Sequence, residues 1–171
     1  MKRLILMRHA KTEPWNEGIK DRDRMLTERG HQDAELVASF LSDTGWQPDH
    51  ALVSSARRTR ETWRHLARHV PECRSTVSDD LYLAGIPAME ALIKKVAEDY
   101  GCVILVGHNP GLHELAGFIL SQAGSENHRA AMKLAEKFPT GAAALFESED
   151  DGPYVPVHFR LVDFVRPKTL A

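Results

Sequence analysis

Arg8 and His9 directly follow the apolar run Leu4–Met7, and a turn has no need of either residue type. Two further apolar runs end in comparable chemistry. Ala51-Leu52-Val53 delivers Ser54 and Ser55, with Arg58 just beyond, and Val103–Val106 delivers His108 through the segment "GHNP". Two arginines and two histidines at strand ends describe a pocket for a compact anion, above all a phosphoryl group. Guanidinium forks match its oxygens in pairs. A neutral imidazole can attack phosphorus while the remaining groups stabilise the charge that develops.

These residues converge only if the strands lie side by side and point the same way. Each apolar run is followed by a helical pattern. Thr27 is a plausible N-cap for a helix from about Glu28 with Ala34, Val37 and Leu41 on one face. A second helix carries Thr59, Trp63, Leu66 and Val70, with Ser55 as its expected N-cap and Arg58 three residues in. A third carries Leu112, Leu115, Ala116 and Ile119, with Asn109 as expected N-cap and Pro110 at its first position. A weaker strand near Ser75–Val77 and a helix over Ala88–Tyr100 lie between the second and third apolar runs.

Apolar strands alternating with helices imply a parallel sheet covered on both faces, and ligands bind such a sheet outside the carboxyl ends of its strands. After about Thr140, "AAALFES", a turn at "EDDGP" and "YVPVHFRLV" read as an antiparallel closing hairpin. The expected fold is therefore a three-layer α/β/α sandwich whose mostly parallel central sheet ends in an antiparallel C-terminal hairpin. The polar loop over residues 10–26 is long for a connection, and long loops tend to carry function.

Composition narrows the classes. A chain of 171 residues suits one domain with its own core, and a net charge of −2 advertises neither nucleic acid nor an anionic membrane. Arg57, Arg60, Arg64 and Arg68 lie opposite the Trp63 face and read as a solvated surface, with a nucleic-acid patch as the alternative. Cys73 and Cys102 make no disulfide framework, no apolar run has the length of a spanning helix, and the four apolar residues before Arg8 are too few for a signal-peptide core. A cytoplasmic protein is expected, with a monomer favoured. His31, His50, His65, His69, His128 and His158 read as ordinary surface or strand histidines, and His113 as decorating its helix. A metal site through His9, His108 and His113 lacks the usual ligand spacings, so neither metal nor cofactor is expected.

The sequence resembles the histidine phosphatase superfamily, within it the SixA-type phosphohistidine phosphatases, which have the phosphoglycerate mutase-like fold. "MRHAK" looks like the Arg-His-Gly signature with Ala10 in place of glycine. "LTERG" resembles the opening of the first helix, "SSARRTRET" the Ser-x-x-x-Arg-x-x-x-Thr segment, and "VGHNPGLHELA" the second-histidine motif. "FPTGAAAL" and "RPK" also fit the subgroup. The likeness spans nearly the whole chain, as one histidine phosphatase domain over 1–171.

The resemblance implies metal-independent catalysis through a phospho-His9 intermediate, with Arg8, Arg58 and His108 holding the equatorial oxygens. Larger members carry a glutamate general acid in an insertion, whereas here "VSDDLYLAG" is short and lacks one. SixA-type proteins place an aspartate in the first loop. That position falls on Asp21 in "DRDRMLT", with Arg24 as the loop arginine and Met25 where proline is usual; Asp23 and Asp80 compete for the acid. Arg24 and Asn109 are further expected substrate contacts. The substrate implied is a phosphohistidine on a phosphotransfer protein, with a small phosphorylated metabolite, or a phosphate-binding module of little activity, as the alternatives.

Overall fold

The four expected parallel strands and the closing antiparallel pair form one sheet in the computed structural model, which describes residues 1–171. In chain order the strands are β1 (Arg3–Arg8), β2 (His50–Ser54), β3 (Arg74–Ser78), β4 (Cys102–Gly107), β5 (Ala143–Ser148) and β6 (Phe159–Val165). Across the sheet they run β3-β2-β4-β1-β5-β6. The first four of these are parallel, β5 runs antiparallel to β1, and β6 antiparallel to β5.

Side chains alternate across β1, so one strand serves two cores. Leu4 and Leu6 pack with Leu52, Leu105, Phe146 and the helices α3 (Ile86–Val96), α4 (Gly111–Ala123) and α5 (His128–Glu136). Ile5 and Met7 pack with Val53, Val106, Leu145 and the helices α1 (Glu28–Asp43) and α2 (Arg57–His69) on the other face. That is the expected three-layer sandwich. Thr27 caps α1 as expected, its Oγ1 accepting from the Gly30 N–H at 2.9 Å.

Several local expectations need correction. α2 starts one residue later than its serines suggest: Ala56 stands at the N-cap and Ser55 does not cap, so Arg58 is the second helical residue. α4 begins at Gly111, Pro110 precedes it, and Asn109 is not its N-cap. The helix expected over Ala88–Tyr100 spans Ile86–Val96. The closing hairpin has a longer connection than the "EDDGP" turn, because Tyr154–His158 stay out of the strand and end in a 3-10 turn at Pro156–His158. Two further helices, α5 and the short α6 (Pro167–Leu170), had no counterpart in the sequence reading. No helix is long and apolar enough to cross a membrane.

Candidate active site

Parallel pairing of β1 with β4 sets Arg8 opposite Gly107, which carries the next residues, His9 and His108, to one level of the sheet edge. The His9 N–H donates to the Gly107 carbonyl at 3.2 Å, and the two imidazole centroids are 5.4 Å apart. His9 Nδ1 lies 2.8 Å from the Ala10 carbonyl oxygen, which can only accept, so the ring proton sits on Nδ1. The Nε2 lone pair is left free. Burial, with the nearby His108, Arg58 and Arg8, pushes the His9 pKa down to about 3 against the pull of the Ala10 bond. His9 is a neutral imidazole of fixed tautomer, the form a nucleophile requires.

Three residues at intervals of four hold this edge together. Ser54 Oγ lies 2.7 Å from His108 Nε2. Arg58, 3 % exposed, points inward from the first turn of α2. Thr62 Oγ1 accepts from the Ala10 N–H at 3.0 Å, tying α2 to the residue after His9. The Ser-x-x-x-Arg-x-x-x-Thr segment thus runs from the end of β2 into α2, where Arg58 and Thr62 stand one helical turn apart, each residue serving a different part of the site. The neighbouring Arg57, Arg60, Arg64 and Arg68 are exposed, as expected of a solvated face, and Arg57 pairs with Glu61.

The "FPTG" segment supports the site from the other side. The Phe138 carbonyl accepts from Arg8 NH1 at 3.0 Å and from Asn109 Nδ2 at 2.9 Å. The Gly141 N–H donates to the carbonyls of both Arg8 and His9, at 3.2 and 3.0 Å. Gly141 has φ +75°, a left-handed backbone that favours glycine. Arg8 Nε, His108 Nδ1 and Asn109 Oδ1 are buried without a partner. Burial and Arg58 lower the Arg8 pKa, and burial, with Arg58 and Arg8, pushes His108 down to about 4 against the opposing charge of Asp21.

The long first loop brings Asp21 to this edge. Arg58 NH1 donates to its carbonyl oxygen at 2.7 Å and NH2 to its Oδ2 at 3.0 Å. Burial resists ionisation, but hydrogen bonds from Tyr82, Arg24 and Arg58 outweigh it and hold the Asp21 carboxyl well below the usual range. Arg24 meets the site only through Asp21: NH1 donates to Asp21 Oδ1 at 3.0 Å, and its other nitrogens hold Thr12 Oγ1 and the Glu13 carbonyl. Asp23 and Asp80 are exposed, and neither carboxylate bonds to Arg8, His9, Arg58 or His108.

Two residues of the site gave no sequence signal. Tyr82 donates to Asp21 Oδ2 at 2.6 Å and sets its ring edge-on to His108, with centroids 5.6 Å apart. Arg22 lies over the Tyr82 ring and bonds to Ser55 and Asp79, fastening the first loop to the ends of β2 and β3. Gly111 makes room for the Tyr82 segment, since a Cβ there would meet the Ala84 carbonyl oxygen at 1.9 Å. His113 does more than decorate α4: its Nε2 bonds to the Leu134 carbonyl on α5 at 2.7 Å.

Comparison with known proteins agrees with this fold. The model of the histidine phosphatase superfamily, branch 1, matches residues 4–100. An uncharacterized protein of Mycobacterium tuberculosis is 32 % identical over 139 residues, which cover 81 % of this chain and 85 % of that one. The crystal structure of SixA from Agrobacterium tumefaciens, a candidate phosphohistidine phosphatase, superposes with a TM-score of 0.80 at 30 % identity, covering 97 % of this chain and 98 % of the other. A protein histidine phosphatase SixA complexed with tungstate shares the fold with a TM-score of 0.77 at 19 % identity, covering 99 % of both chains.

Proposed function

The chain belongs to the histidine phosphatase superfamily, and on that footing we propose that it is a phosphohistidine phosphatase acting on phosphotransfer proteins in the cytoplasm. The observation that carries the proposal is the neutral His9, its Nε2 lone pair free, set among Arg8, Arg58 and His108. The SixA likeness at 30 % identity supports the substrate class.

His9 Nε2 attacks phosphorus in line, forming a new N–P bond as the N–P bond of the substrate breaks. The departing imidazole takes up a proton. Water then attacks phospho-His9, releasing inorganic phosphate and regenerating the neutral ring. Arg8, Arg58 and the unpartnered His108 Nδ1 stabilise the phosphoryl oxygens through both steps. Metal is not required, because the two guanidiniums supply the positive charge.

Asp21 is the proton donor in this proposal. Arg58 holds it ionised, but a phosphoryl group would draw Arg58 away and add negative charge beside the carboxylate. Both effects raise its proton affinity. Arg24 and Asn109 serve the substrate indirectly, Arg24 by orienting Asp21 and Asn109 by sharing the Phe138 carbonyl with Arg8.

The test compares turnover of a phosphohistidine protein with that of a panel of phosphorylated metabolites. It is coupled to acid-labile, base-stable trapping of label from the phosphoryl donor. Faster turnover of the protein substrate, with label on the peptide containing Met7-Arg8-His9, is the expected result. His9→Ala should abolish label and turnover together, while His108→Ala slows turnover and leaves the label on His9. Preferential turnover of one metabolite would replace the substrate class, and label on His108 would replace the nucleophile.

A further inference from the structure

Ser54 selects which nitrogen of His108 carries the proton, and we infer that it thereby turns His108 from a lone pair facing the phosphoryl site into a hydrogen-bond donor. The inference rests on reading this edge as a phosphoryl site and adds a positioning residue to it.

At neutral pH His108 carries one ring proton, since its pKa is pushed down to about 4. Two tautomers are available, and they act in opposite senses. With the proton on Nε2, that N–H donates to Ser54 Oγ, and the unpartnered Nδ1 offers a lone pair to any anion beside it, which repels. With the proton on Nδ1, Ser54 donates its hydroxyl proton to Nε2 at 2.7 Å, and Nδ1–H becomes a donor for a phosphoryl oxygen.

The surroundings of Ser54 favour the second arrangement. Its Oγ accepts from the Ala56 N–H at 3.5 Å, a contact that leaves its own hydroxyl proton still to be placed. Ser54 is also fully buried, and His108 Nε2 is the one acceptor that its hydroxyl meets. Were Nε2 protonated, the Ser54 hydroxyl proton would be left buried without an acceptor, a costly state. The chain Ala56 N–H to Ser54 Oγ–H to His108 Nε2 therefore has a single consistent direction.

The two histidines then share a tautomer and do opposite work. His9 bonds through Nδ1–H to Ala10 and presents Nε2 as a nucleophile. His108 bonds through Nε2 to Ser54 and presents Nδ1–H as a donor. The difference lies in which end of each ring the backbone and Ser54 claim.

Long-range proton–nitrogen correlation on the imidazole-labelled protein at neutral pH reads the tautomer directly. The expected spectrum has His108 protonated on Nδ1; protonation on Nε2 in the wild type overturns the inference without any variant. Ser54→Ala should move the proton toward Nε2 and weaken binding of inorganic phosphate by roughly tenfold, the value of one hydrogen bond to an ion. Ser54→Thr, which keeps the hydroxyl, should restore both readouts. A Ser54→Ala protein with unchanged tautomer and unchanged phosphate affinity would equally overturn the role. Neither readout depends on the substrate, so failure to hydrolyse phosphohistidine would sink the proposed activity alone, whereas a wild type that does not bind phosphate would remove the site itself.

Discussion

Arg58 and Asp21 meet twice, through the Asp21 carbonyl at 2.7 Å and its Oδ2 at 3.0 Å, so the loop aspartate occupies the guanidinium fork. An incoming phosphoryl group has to compete for that fork. The pair therefore couples the first loop to occupancy of the site, and the consequences can be measured.

Arg58→Ala should cost about 10²–10³-fold in kcat/KM, as expected for removing a preorganised donor to developing charge. Arg57→Ala should cost little, because that side chain is exposed and bonds only to Glu61, a partly exposed pair worth at most about 1 kcal/mol of stability. Steady-state kinetics of the two variants on one substrate decides it. Comparable losses would mean that Arg57 also reaches the substrate.

Asp21→Asn should slow aryl- or alkyl-phosphate hydrolysis more than phosphohistidine hydrolysis. An alkoxide leaves poorly without a proton, whereas imidazole can be protonated on its other nitrogen. Tyr82→Phe removes one hydrogen bond from the same carboxylate and should shift the alkaline limb of the pH–rate profile for the ester upward, since that bond favours the ionised form and the proton donor must be protonated to act. If Asp21→Asn leaves both substrates untouched while Asp23→Asn or Asp80→Asn does not, the proton donor is reassigned.

Stability should fall as the solution is acidified below about pH 6.5. His9 and His108 titrate near 3 and 4 in the folded protein and near 6.5 when unfolded, so between these values the unfolded chain binds more protons. Each buried histidine contributes at most about 1.4 kcal/mol per pH unit in this window. Thermal melts from pH 7.5 to 4.5 should show the decline, and the double variant His9→Asn/His108→Asn should flatten it. An equal slope in the variant would place the acid sensitivity elsewhere.

The strand-end residues were legible because a buried apolar run that stops at a charged residue leaves few alternatives. The helix starts were misread for a reason found in the site itself. Ser55 does not cap α2 because its hydroxyl bonds to Arg22, and Ser54 is turned toward His108. Asn109 does not cap α4 because it stands one residue ahead of the N-cap Pro110, where its Nδ2 donates to the Phe138 carbonyl. Good capping residues were claimed by longer-range partners, and local propensity gave way.

Tyr82 was invisible for a different reason. It sits in a turn with no periodicity, before Leu83 in left-handed backbone at φ +51°, and its partners lie far away in sequence on the first loop and beside His108. α5 could have been found, since Ala130 and Leu134 recur at helical spacing on its buried face.

The ladder that sets Arg8 against Gly107 has a further consequence for how this chain tolerates insertions and deletions. One residue lost from β1 or β4 would slide its histidine by about 3.3 Å and turn it to the opposite layer, because strand side chains alternate. The connections on either side of these strands are free of that constraint, since their length changes no register. Length variation in chains of this plan should therefore collect in the first loop and in the β5–β6 connection, while the stretches from Arg3 to His9 and from Cys102 to His108 keep a fixed count. The distance between the two histidines is ruled off by hydrogen bonds in the backbone, one rung at a time.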